Sequence, residues 1–169
     1  LAVFTLHGAI FLNLKTTEDV EENAGKMASR LWLPALILAV LVLGSTYLAM
    51  DVSPELGVFP LLVSIVAAIA LLLVGYFLRA KRNGWAFGMT SLAIGTYIGS
   101  LFMVLFPRVM VSSLNPAWSL TIHNASSSPY TLRVMTIVAL IFVPIVLIYQ
   151  GWTYWVFRKR LTVDSHLEY

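Results

Sequence analysis

A chain of 169 residues that is 59% hydrophobic and only 11% charged departs from the balance of an ordinary soluble domain, and water is not its main solvent. The absence of cysteine excludes disulfides, thiolate-bound metals, iron–sulfur clusters and cysteine nucleophiles as chemistry of this chain. The formal net charge of +3 says less than the placement of the charges, which leaves long uncharged stretches along the sequence.

Residues 1–14 form the first such stretch, and at ~1.5 Å rise per residue they reach only ~21 Å, short of the ~30 Å of hydrocarbon in a bilayer. They are expected to be the end of a helix whose start lies upstream. No basic segment and small-residue cleavage site accompany them, so a signal peptide is a poor alternative. Thr16-Thr17-Glu18-Asp19 then reads as a capping-box start with acids in the first turn, which predicts a short cytoplasmic helix before the next span.

Uncharged stretches at 31–50, 58–78, 85–106 and 134–157, of 20 to 24 residues, are each long enough to cross a membrane. All 11 Lys and Arg and all 8 Asp and Glu fall in the connections or the tail, as expected where charges in lipid are costly. The pattern predicts an all-α polytopic membrane protein, a transmembrane helix bundle in one domain over residues 1–169. Pro34 and Pro60 fall in predicted first turns, where a missing N–H is harmless. Pro144 lies mid-span, frees the carbonyl of Leu140 and is expected to kink the last helix.

If the chain crosses at each span, Lys15, Lys26, Arg30, Arg79, Lys81, Arg82, Arg158, Lys159 and Arg160 share one side, leaving Arg108 and Arg133 on the other. That asymmetry marks the first side, and the C-terminus with it, as cytoplasmic. The acids Glu18, Asp19, Glu21 and Glu22 sit there too, but carboxylates count for little in this rule. Trp32, Trp85, Trp118, Trp152 and Trp155 lie near predicted span ends or in the outer loop, as an aromatic belt would place them.

Groups able to carry chemistry inside the spans are scarce. His7 is the only imidazole in a span; no carboxylate or second His lies within a turn of it, so a hydrogen-bonded or packing role outweighs haem ligation. His123 in the outer loop and His166 in the tail lack spaced partners for a metal. Met27, Met50, Met89, Met103, Met110 and Met135 are scattered and read as packing residues. The glycines form no phosphate-cradling loop, and Asn124-Ala125-Ser126 matches a glycosylation acceptor only as a common triplet.

Ser91, Gly95 and Gly99 recur every four residues and place a GxxxG face on the third complete span, expected to meet a neighbouring helix closely rather than to hold a flat ligand. The segment 107–133 is long for a connection and mixes Leu114, Trp118, Leu120 and Ile122 with Ser, Asn and Pro. It is expected to fold against the membrane surface or a partner. A cluster of Arg108, Trp118, His123 and Arg133 around a quinol head group is a weaker reading of the same loop.

In this loop, Phe106-Pro107-Arg108-Val109-Met110-Val111-Ser112-Ser113, Ser119-Leu120-Thr121-Ile122-His123-Asn124-Ala125-Ser126-Ser127-Ser128 and Thr131-Leu132-Arg133-Val134-Met135-Thr136 resemble subunit II of cytochrome bd quinol oxidase. Gly8-Ala9-Ile10-Phe11-Leu12-Asn13-Leu14-Lys15-Thr16, Trp85-Ala86-Phe87 and Val143-Pro144-Ile145-Val146-Leu147-Ile148-Tyr149 match it in the same order, so the likeness covers nearly the whole chain. Val111 departs from it, since the family usually has Pro after the Val-Met pair.

The resemblance implies a subunit of nine transmembrane helices, with this chain holding the end of the fifth and the sixth to ninth. It also implies a bacterial cell membrane location and a haem-carrying partner, subunit I, that holds haems b and d and the quinol-oxidising loop, with quinol and O2 as substrates of the complex. The acids associated with proton uptake belong to the N-terminal half, so none carries over. No catalytic, cofactor-binding or metal-ligating residue is assigned here; the expected role is a scaffold, with lipid and subunit I as partners and no nucleic acid. Half of a secondary transporter is the competing reading, but transporters place polar groups and broken helices at the midplane, where only Pro144 hints at one. A structural subunit of another membrane complex is a third.

Overall fold

The computed structural model describes residues 1–49 and 56–158. In chain order it contains α1 (Ala2–Lys15), α2 (Glu18–Ala49), α3 (Phe59–Arg79), α4 (Asn83–Leu105), β1 (Arg108–Met110), β2 (Leu120–Thr121) and α5 (Pro129–Val156). The four helices α2 to α5 are long and apolar enough to cross a membrane. The protein is thus an all-α polytopic membrane protein, with its only described strands confined to one connection. Met50, Lys159, Arg160 and His166 lie outside the described residues.

The chain forms two compact units, divided between Phe106 and Pro107. In the first, α1 buries Leu6, Ala9, Ile10 and Asn13, a spacing that puts all four on one helical face. α2 buries Ala24, Ala28, Ala35, Ala39 and Leu43, mostly small residues that let backbones approach closely; Ala28 and Ala35 share a cluster with Leu6, Ala9 and Ile10 of α1, and Ala39 one with Ala70, Leu71 and Ala93. α3 adds Ser64, Ala67, Ala70, Leu71, Val74 and Gly75, and α4 adds Ala86, Thr90, Ala93, Ser100 and Val104. A core so rich in Ala, Ser and Gly suits a membrane, where lipid is as apolar as leucine and close packing, not transfer from water, drives association.

Two expectations are revised here. The short cytoplasmic helix is not separate from the span after it: α2 runs unbroken from Glu18 to Ala49, so Pro34 lies in its interior, not in a first turn. Glu18 has φ 59°, the left-handed region, so it does not take the helical φ that a residue in the first turn of the expected capping box would have. The link between α1 and α2 is only two residues long, and reversing the chain so tightly explains the left-handed residue.

The α3–α4 turn uses the same device. Arg82 N–H donates to Phe77 O at 2.9 Å and Lys81 N–H to Leu78 O at 3.2 Å, the paired bonds of a Schellman ending, with Lys81 at φ 52° where glycine is usual.

In the second unit, β1 and β2 pair antiparallel, with Arg108 opposite Thr121 and Met110 opposite Leu120. α5 starts a turn earlier than the uncharged stretch suggests. Ser128 caps it by accepting from Thr131 N–H at 3.3 Å, and Pro129 occupies the first turn. The helix continues through Pro144.

Candidate functional site

His7 stands on the α1 flank that faces α4. Its Nδ1 lies 2.7 Å from Thr90 Oγ1, and its ring stacks on Phe87 with centroids 4.6 Å apart and planes at 23°. Phe11, one turn further along α1, meets Phe87 at 5.8 Å. Thr90 Oγ1 is also 2.8 Å from Phe87 O, to which it donates. A hydroxyl has one proton, so with that proton on the Phe87 carbonyl, Thr90 accepts from His7 Nδ1–H. For the neutral ring this is the Nδ1–H tautomer, with the lone pair on Nε2.

The arrangement uses one face of the imidazole for packing and one nitrogen for an interhelical hydrogen bond. Among the described residues, no group of three or more His, Cys, Asp or Glu is placed to hold a metal ion.

A second feature is an open recess of about 800 Å³ at the ends of the first unit, lined among others by Asn13, Glu18, Glu21, Lys26, Arg30 and Lys81. Glu18 and Lys81, the two described non-glycine residues with positive φ, both border it. Asn13 Nδ2 donates to Glu21 O at 2.7 Å, tying α1 to the start of α2. Gly25 leaves room for this: a Cβ there would lie 2.8 Å from Asn13 Nδ2. Lys26 and Glu22 form an ion pair of 2.6 Å, and the ammonium holds the Glu22 carboxyl below its usual range. Both side chains are largely in solvent, where such pairs contribute little to stability.

In the connection between α4 and α5, the residues named for a quinol head group stand on different elements. Arg108 stands on β1, Trp118 ends a 3-10 turn at Pro116–Trp118, His123 follows β2 and Arg133 sits in α5. What holds the loop is a set of uncharged polar side chains. Ser119 Oγ accepts from Ser112 N–H, Asn124 Oδ1 accepts from Thr121 N–H at 2.6 Å, and Asn124 Nδ2 donates to Ser119 O at 3.2 Å. Asn124 is engaged on both amide atoms, which gives the acceptor-like triplet a structural role.

The GxxxG face is also placed differently. The packed side of α4 is centred on Ala86, Thr90 and Ala93, and at 3.6 residues per turn Ser91, Gly95 and Gly99 fall roughly 180° away. A Cβ at Gly95 or Gly99 would meet nothing within 4 Å. The close approach occurs instead at Gly75, where a Cβ would collide with the Trp32 indole. Trp32 Nε1 donates to Leu71 O at 2.7 Å, and the Arg79 guanidinium lies 5.4 Å from the indole centroid. Reading Trp32 only as a belt residue missed this; the cue was an aromatic on α2 facing a helix with a lone interior glycine.

Residues 1–157 match the family model described as cytochrome bd terminal oxidase subunit II. Cytochrome bd ubiquinol oxidase subunit 2 of Bacillus subtilis is 39% identical over 165 residues, covering 96% of this chain and 48% of the relative. Cytochrome bd-I ubiquinol oxidase subunit 2 of Escherichia coli K12 is 38% identical over 112 residues, covering 66% of this chain and 27% of the relative. A probable cytochrome oxidase subunit 2 of Haemophilus influenzae is 31% identical, covering 91% of this chain and 48% of the relative. The chain thus spans about half or less of the length of these relatives.

Proposed function

The chain belongs to the cytochrome bd terminal oxidase subunit II family, and we propose that it serves as scaffold in a membrane quinol oxidase whose redox centres are held elsewhere. The observation that carries the scaffold reading is the use made of His7. The one imidazole of the described helices is stacked on Phe87 and donates to Thr90, an interhelical contact made through the ring face and Nδ1; the haem content of a His7→Ala complex separates this packing role from ligation through Nε2. In this reading haems b and d and the quinol-oxidising site lie in subunit I. Quinol is oxidised and O2 reduced there, and this chain supplies shape, burial and contact with lipid. The match to the family supports this over half of a secondary transporter.

The basic residues support an orientation with Lys15, Lys26, Arg30, Arg79, Lys81 and Arg82 on the cytoplasmic side of a bacterial cell membrane, and Arg108 and Arg133 on the outer side. The charged recess then opens to the cytoplasm and the β1–β2 loop lies outside.

The visible absorption spectrum of the complex purified through this subunit tests the proposal. Haem absorbance carried by a copurifying larger subunit is expected; a haem-free assembly would overturn it.

A further inference from the structure

The loop between α4 and α5 meets much of its own hydrogen-bonding demand. Several of its polar side chains bond its own backbone: Ser112 Oγ accepts from Leu114 N–H and Asn115 N–H, Asn115 Oδ1 from Ala117 N–H, and Thr121 Oγ1 from Asn124 N–H. Ser119 is its buried residue, at 6% exposure. Its large apolar side chains are exposed: Val109, Met110, Leu114, Trp118, Leu120 and Ile122, with Leu114 at 85% and Trp118 at 66%.

Six exposed large apolar side chains on one loop are unfavourable in water. In lipid the preference inverts: backbone and polar groups are satisfied internally, and apolar side chains face outward. The loop is also held near lipid by the chain itself, since it joins two helices long and apolar enough to span the membrane. There is no Asp or Glu between residues 107 and 133, while Arg108 on the loop and Arg133 early in α5 give the region positive charge. Charge of that sign complements lipid phosphates.

We propose that residues 107–128 form a membrane-interface hairpin that inserts Leu114, Trp118 and their apolar neighbours among the lipids of the leaflet where α4 ends and α5 begins. The occupant of this surface is lipid rather than a partner protein. The inference needs α4 and α5 to span the membrane but does not rest on the oxidase reading.

Nitroxide labels read the depth directly. Single cysteines replace Leu114, Trp118 and, as a control, Ser126 in the full complex, which is reconstituted into vesicles of phosphatidylethanolamine and phosphatidylglycerol. Collision rates are measured with dissolved oxygen, which concentrates in lipid, and with a water-soluble nickel chelate. The expected result is a ratio of oxygen to chelate collisions severalfold higher at 114 and 118 than at 126. Equal ratios at the three positions would place the loop in water and overturn the proposal. Immobilised labels at 114 and 118, shielded from both reagents, would show a protein partner and overturn it too. If a label at 118 prevents assembly, the more exposed Leu114 position answers the same question.

Discussion

The indole of Trp32 lies in the notch that Gly75 leaves on α3, and its N–H donates to Leu71 O at 2.7 Å, one turn before that glycine. The glycine and the indole therefore act as one joint between α2 and α3, and a methyl group at position 75 has no room. Gly75→Ala is expected to destabilise by about 1–3 kcal/mol through overpacking. Gly95→Ala, with open space around it, is expected to be neutral or to stabilise the helix by up to about 1 kcal/mol. Thermal unfolding of the purified complex separates the two. Equal losses of Tm would mean that the open face of α4 is as crowded as the Trp32 notch once assembled.

The contrast between these glycines shows what the sequence made legible. Length and hydropathy located the four spans, because a membrane imposes both on each helix independently of its neighbours. Which face of a helix packs is a property of pairs. Ser91, Gly95 and Gly99 carried the stronger motif, yet Ala86, Thr90 and Ala93 on the opposite side form the contact. Alanine gives little signal in a chain this apolar. Charge does not mark where a helix begins: Arg133 lies inside α5, whose start is instead fixed by Ser128 and Pro129. His7 was recognisable as a packing imidazole, but its partner Thr90 lies 83 positions away and no local pattern announces it.

At the α3–α4 turn, Lys81 holds φ 52°, a conformation that costs a side-chain-bearing residue about 1–2 kcal/mol and glycine almost nothing. Lys81→Gly is therefore expected to raise the Tm of the complex, offset in part by the greater freedom of glycine in the unfolded chain. A lowered Tm would show that the Lys81 side chain, which borders the charged recess, contributes more than its backbone strain costs.

Asn124→Ala removes both bonds that close the end of the hairpin, the acceptor for Thr121 N–H and the donor to Ser119 O. The expected effect is local, since no span depends on either bond. Amide exchange across residues 119–125 should accelerate several-fold, as follows from a loss of about 0.5–1.5 kcal/mol for an exposed or part-buried hydrogen bond, while assembly is retained. Unchanged exchange would mean that the β1–β2 pairing alone holds the loop.

The orientation is tested on a chain that contains no native cysteine to interfere. Cysteines at Thr17 and Asn83 are expected to resist an impermeant thiol reagent in intact cells, whereas one at Ser127 reacts. Labelling of 17 and 83 with protection of 127 would reverse the topology.

The last prediction separates packing from ligation at His7. If Nδ1–H donates to Thr90 and the ring serves mainly to stack on Phe87, removing the imidazole removes an interhelical contact and nothing redox-active. Hydrogen bonds between membrane helices contribute about 0.6 kcal/mol on average and up to ~1.7, so His7→Ala should still assemble, with a modestly lower Tm. Thr90→Val deletes the same bond from the other side and should cost a similar amount. The double variant should lose less than the sum of the two, because each single change already breaks the shared interaction. Haem content separates this from ligation: a haem loses its place when an axial ligand is removed, whatever the stability of the surrounding helices. His7→Ala is therefore expected to keep the full haem complement and substantial quinol-dependent oxygen uptake. Stoichiometric loss of one haem from an otherwise intact complex would make His7 a ligand and end the scaffold reading of this chain.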